Sequence, residues 1–108
     1  MGKPRGSIGE TKLKVMAILH HEERVGVTSY GYGIWKVMKE RYHSCLSEDG
    51  LRNIYHHLED LNDLGLIRKV SIQSVKGTPR RRVYRLTEKG RDLQNKFARY
   101  LDYLQVSN

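Results

Sequence analysis

Apolar residues recur along this chain at helical spacing in four places and in alternation in one. From residue 10 to about 24, Leu13, Met16 and Ala17 form one stripe and Val15, Ile18 and Leu19 a second beside it. An arc that wide exceeds what one core contact requires, so this helix is either central to its domain or meets a second subunit. Residues 25–29 read as a loop or short strand. A second helix is expected from Tyr30-Gly31 to about Tyr42, with Ile34, Val37, Met38 and Tyr42 at i, i+3, i+4 and i+8. Trp35 lies off that stripe and is read as packing beside the first helix.

The third helix, residues 47–64, has the clearest pattern. Leu51, Ile54, Tyr55, Leu58, Leu61 and Leu64 make one face, and Arg52, Asn53, His56 and Glu59 the opposite one. Ser47 or Asp49 can cap its start by accepting from free backbone N–H groups. Gly65 suits the left-handed residue that ends it. Next, Leu66, Val70 and Ile72, then Tyr84 and Leu86, mark two strands with one shared apolar side. They are joined across Lys76-Gly77-Thr78-Pro79. Thr87 can cap a last helix, from 88 to about 105, whose stripe of Leu93, Phe97, Tyr100, Leu101 and Leu104 has the spacing of a helix-pairing seam.

The fold class that follows is mainly α with a small antiparallel β-hairpin. Three helices, two strands and a helix in that order make a winged helix-turn-helix. At 108 residues the chain is one domain. Residues 1–9, with three glycines, Pro4, Lys3 and Arg5, read as a flexible basic arm. Residues 10–86 are expected to be the winged-helix DNA-binding domain, and 87–108 a C-terminal dimerisation helix.

Charge sharpens the picture. The formal excess is +8, and between Arg68 and Arg91 lie nine basic residues and one acid, Glu88, so the whole excess sits on the hairpin and its exit. A charge serving solubility alone would be spread over the surface, whereas a local field of this kind attracts a polyanion. Double-stranded DNA is the expected partner. On the third helix the basic and amide-bearing residues come first, and Glu59, Asp60 and Asp63 follow. A helix entering the major groove by its N-terminal half needs that order, because acids near phosphate are repelled.

The exclusions are equally useful. No apolar run approaches the roughly 20 residues of a membrane span and no signal-peptide core follows Met1, so no membrane partner is expected. Cys45 is the single cysteine, which rules out an internal disulfide and suits a reducing compartment. A cytoplasmic, nucleoid-associated location is the expectation. No P-loop, Gly-x-Ser-x-Gly or His-Glu-x-x-His is present, so no catalytic set and no cofactor is expected. His56 and Asp60 stand one helical turn apart beside His57 and Glu59, but two ligands without cysteine partners fall short of a zinc site. No metal is expected.

Three motifs together resemble the PadR-like family of winged-helix transcriptional regulators. These are Gly31-Tyr32-Gly33-Ile34, then Ile54-Tyr55-His56-His57-Leu58-Glu59-Asp60-Leu61 with Leu64-Gly65-Leu66-Ile67, then Tyr84-Arg85-Leu86-Thr87-Glu88-Lys89-Gly90. The resemblance implies a homodimer that binds operator DNA, usually to repress. It implies a core position for Tyr55 and groove-facing positions for Arg52, Asn53 and His56. It also implies a wing tip around Gly77. Leu51-Arg52-Asn53 stands where a small Gly-Thr pair is common, and Trp35 is not in the helix where some relatives stack drugs, so no effector is assigned.

The expected DNA-binding residues are therefore Ser47, Arg52, Asn53 and His56 on the third helix, and Lys76, Gly77, Thr78, Arg80, Arg81 and Arg82 on the wing. The expected dimer seam comprises Leu13, Leu93, Phe97, Tyr100, Leu101 and Leu104. An architectural or partition-type protein of the same fold, spreading along DNA or joining a protein partner, is the alternative.

Overall fold

The computed structural model of the chain describes residues 9–43, 49–72 and 81–105, the side chains of Ser71, Ile72, Arg81 and Gln105 excepted. The elements run α1 Glu10–Val25, α2 Gly31–Arg41, α3 Gly50–Asp63, β1 Ile67–Ile72, β2 Arg81–Leu86, α4 Glu88–Arg91 and α5 Gln94–Gln105. This is the expected winged-helix order, with one difference at its end. The last helix is broken. Leu93 N–H reaches back three residues to the Gly90 carbonyl, at 3.1 Å, and this tightened turn separates α4 from α5.

α1 is the centre of the domain. Val15, Met16, Ala17, Ile18 and Leu19 have no exposed surface, and the helix packs against α2, α3, α5 and β2. Its two stripes are thus both filled from within one chain. α5 lies along it, burying Phe97, Tyr100, Leu101 and Leu104 in the same core cluster as Leu13, with Leu93 packed at the edge. The Tyr42 hydroxyl ties α2 to α5 by donating to the Tyr100 carbonyl at 2.7 Å. Trp35 is partly buried against the core, with Tyr32 edge-on to it and the Lys39 ammonium 3.5 Å from its ring centre.

α1 and α3 stop in the same way. Gly26 and Gly65 take left-handed φ values of 80° and 78°, which a side chain would resist. At each, the glycine N–H and the one after it fold back onto late helix carbonyls: Gly26 onto Glu23 and Val27 onto Glu22, at 3.4 and 2.8 Å, and Gly65 onto Asn62 and Leu66 onto Leu61, both at 3.0 Å. The second stop aims the chain into β1.

The hairpin pairs Ile67 with Leu86, Lys69 with Tyr84 and Val70 with Val83, antiparallel. Opposed residues share a face, so Ile67, Tyr84 and Leu86 point together into the core, where each is at most 2% exposed. Val70 falls on the other face. Alternation counted from Leu66 places it beside Tyr84 and Leu86, but the strand begins one residue later, and a shift of one exchanges the faces. A bridge from Tyr30 to Val83 adds a minimal third strand along the outer edge of β2.

Candidate nucleic-acid interface

Ile54, Leu58 and Leu61 have no exposed surface, and they fix the rotation of α3 about its axis. At about 100° per residue, that rotation turns Arg52, Asn53 and His56 outward. All three are exposed, and none of their side chains makes an ion pair or hydrogen bond with the other described residues. Asp49 holds the N-cap position but its side chain makes no capping bond. Ser47, the other candidate cap and an expected DNA contact, lies outside the described residues, as do Lys3, Arg5, Cys45, Lys76, Gly77, Thr78 and Arg80. The side chain of Arg81 does too.

Two members of the expected buried face are on the surface instead. Leu64 is 49% exposed because α3 has ended by then, and Tyr55 is 42% exposed. Tyr55 follows Ile54 and so stands at the edge of the apolar stripe. Its ring lies over Gly31 at the start of α2, where any Cβ would be driven into it. With Asp49, Leu51, Arg52, His56 and Glu59 it lines an open groove of about 510 Å³ along the outward side of α3. Tyr55 therefore belongs to the candidate interface. Gly31 opening the second helix was the available signal, since a helix that begins on glycine leaves room for a neighbouring ring.

Two of the three acids on α3 are answered locally. Glu59 accepts from Lys69 of β1 through both oxygens, at 3.1 and 2.9 Å. Asp60 lies 3.3 Å from Lys12 of α1, whose ammonium is also 3.1 Å from His57 Nδ1. Among the described residues no three His, Cys, Asp or Glu side chains come together as a metal cage.

The basic segment divides in use. Lys69 is committed to Glu59, Lys89 to the Leu64 carbonyl at the end of α3 (3.1 Å), and Arg91 to Glu23 (2.7 Å). Thr87 organises that turn: its Oγ1 accepts from the Gly90 N–H at 3.1 Å and donates to the Gly65 carbonyl at 2.6 Å. The Leu86-Thr87-Glu88-Lys89-Gly90 motif is thus a clasp between α3 and the hairpin. Arg68, Arg82 and Arg85 remain exposed. Arg82 sits beside Tyr84. Burial raises the pKa of that phenol, with Glu59 and Tyr55 adding to the rise, while hydrogen bonding and charge from Arg82 oppose it. In the sequence Arg68 and Arg85 count as charge but not as site residues, because their facing positions emerge only with the register.

The residues expected at a subunit seam are covered within a single chain. Phe97 has no exposed surface, Leu13, Tyr100, Leu101 and Leu104 at most 8%, and all belong to the α1–α5 core of a single chain. A short terminal helix with one apolar stripe can pair with a second copy or fold back. Here it folds back, and the stripe is covered.

Beside this geometry stand the comparisons with known proteins. The profile described as the Transcriptional regulator PadR-like family matches residues 15–96. The chain belongs to this family. A comparison with curated proteins gives no match. Among solved structures the chain is similar to a PadR family transcription regulator from hypervirulent Clostridium difficile R20291, at 24% identity over 90% of this chain and 92% of that one, TM-score 0.64. It is similar also to a PadR-like transcription factor from Bacteroides fragilis, at 26% identity over 87% and 82%, TM-score 0.61. A third is Bacillus subtilis PadR in complex with operator DNA, at 20% identity and TM-score 0.62. That match takes in 94% of this chain and 50% of the other, so this PadR-like chain spans about half of the Bacillus protein. Among the described residues no helix is long and apolar enough to cross a membrane.

Proposed function

We propose that this chain is a sequence-specific DNA-binding transcriptional regulator. α3 enters the major groove with Arg52, Asn53 and His56 toward the bases, and the wing lies on the backbone or in the minor groove. The observation that carries the reading is the exposed, unpaired face of α3, set beside a basic hairpin in a family with a member solved on operator DNA. Arg can bridge guanine O6 and N7, and Asn can pair with adenine, each good pair discriminating by about 1–3 kcal/mol. Lys76, Gly77, Thr78, Arg80, Arg81 and Arg82 supply the wing contacts, and Ser47 a contact at the start of α3.

The protein acts as a homodimer and a repressor, two copies of α3 reading two half-sites about one helical turn apart. Association leaves the stripe of Phe97 in its own core and uses the outer side of α5, where Tyr103 is 57% exposed. Sedimentation at micromolar concentration tests this part; a monomer bound singly to DNA overturns it.

Base reading is tested by binding to a selected site and to random duplex. Arg52→Ala and Asn53→Ala should each weaken the selected complex by about 1–3 kcal/mol and leave the random one nearly unchanged. Equal losses on both DNAs for both variants would refute base reading, because phosphate contacts carry no sequence information.

A further inference from the structure

The hairpin has two faces, and they treat charge in opposite ways. On the inner face Lys69 meets Glu59. On the outer face Arg68 stands directly opposite Arg85. The backbone brings the two close. Tyr84 N–H points away from β1 to the Ser29 carbonyl, and Leu86 N–H away from it to Glu23 Oε2, at 3.0 and 2.9 Å. Arg85, between them, is therefore turned toward β1. It and Arg68 form a hydrogen-bonded pair, in which Cα atoms sit about 5.5 Å apart with both side chains on one face.

Like charges placed directly across a sheet oppose folding. Nothing described relieves them. Neither guanidinium has an acidic partner among the described residues, and the carboxylate lining the adjoining cavity of about 240 Å³ with Arg85, Glu23, has both oxygens committed, to Arg91 and to Leu86 N–H. Val83, next along the same face, is buried although it lies outside the core cluster. The outer face is thus ordered, cationic and held against repulsion, which fits a surface completed by an anionic partner.

We propose that Arg68 and Arg85 form a second phosphate-contact surface for DNA, on the outer base of the wing and separate from α3 and the wing tip. DNA is favoured over a small anion because the pair is open, with no enclosing donors, and lies on the strands that lead to the basic tip. A duplex lying along the wing therefore meets both its base and its tip. The proposal rests on the DNA-binding reading and adds residues to it.

The test uses Arg68→Ala/Arg85→Ala and, separately, Arg85→Glu, which sets a carboxylate opposite Arg68. Both relieve the repulsion, so both should fold, with Tm higher by roughly 1–5 °C. Binding is measured by anisotropy on a labelled mixed-sequence duplex of about 30 base pairs, some three helical turns, across a salt series. The double alanine variant should weaken binding at every salt concentration and flatten the slope of log K against log salt by about 1 to 2. Arg85→Glu should weaken it further despite its stability. Raised Tm with unchanged affinity and slope would overturn the proposal. Wild-type protein that retains no duplex at low salt would instead overturn the DNA-binding reading, so the two failures are distinct.

Discussion

On the α1–α5 side three cations have partners: Lys14 lies 3.4 Å from Glu10, Arg99 covers the Tyr100 ring at 5.0 Å, and Arg91 bonds Glu23. Along α3 and the outer hairpin, Arg52, Arg68 and Arg85 have no acidic partner among the described residues. Exposed pairs of the first kind contribute only about 0–1 kcal/mol each, so the first region is held by its apolar core. The second region is held by Ile54, Leu58, Leu61, Tyr84 and the Thr87 clasp. Its unpartnered arginines, Arg52, Arg68 and Arg85, add nothing to the fold. Stability and charge are thus separable, and substitutions can attack one without the other.

The largest expected effect comes from breaking the first region. Phe97→Ala leaves a cavity between α1 and α5 and should cost about 3–5 kcal/mol of stability, read as a drop in denaturation midpoint. A midpoint within error of the wild type would mean that α5 does not pack on α1 in solution. Next is the junction below α3. Gly31→Ala forces a methyl into the Tyr55 ring and should cost about 1–3 kcal/mol. Because Tyr55 lines the α3 groove, the same change should weaken DNA binding by the folded protein, and Gly31→Ala with Tyr55→Ala should recover the stability. Failure of the second change to rescue would show that the ring is not the obstacle.

The smallest effect concerns a buried acid. Ser29 Oγ donates to Glu22 Oε1 at 2.6 Å, and burial raises the pKa of Glu22 from its ordinary 4.5, the hydrogen bond from Ser29 partly opposing the rise. A raised folded pKa means that the folded state holds the proton more tightly. The contribution of Glu22 to stability is therefore fully present below the unfolded pKa and is lost as pH rises through the folded one. Glu22→Gln keeps an acceptor for Ser29 and removes the titration. Its Tm should vary less with pH above 4.5 than that of the wild type; identical profiles would show that Glu22 ionises without cost.

Much of this was legible in the sequence. The apolar periods mark the first three helices to within a few residues and the span of the last, though not its break at Leu93, and Gly65 and Thr87 mark two boundaries that the hydrogen bonds reproduce. The outward face of α3 follows from the same period. Three things were not legible, each for a physical reason. Tyr55 is amphipathic and sits at the edge of a stripe, where composition does not decide burial. Arg68 and Arg85 are distant in sequence and meet only through a strand register that a one-residue shift would undo. The α5 stripe could serve either an intrachain or an interchain contact, and periodicity describes the stripe but not what covers it.

On this account the cations without partners, rather than the basic balance as a whole, face DNA. One salt series compares two variants of similar charge loss on the same mixed-sequence duplex. Arg68→Ala/Arg85→Ala removes two hairpin cations with no acidic partner among the described residues; Lys14→Ala/Arg99→Ala removes two cations that have partners on the α1–α5 side. The hairpin variant should flatten the slope of log K against log salt by about 1–2, near 0.9 for each phosphate no longer neutralised, while the other keeps the wild-type slope. Equal flattening by both would contradict the account, since binding would then answer to net charge alone.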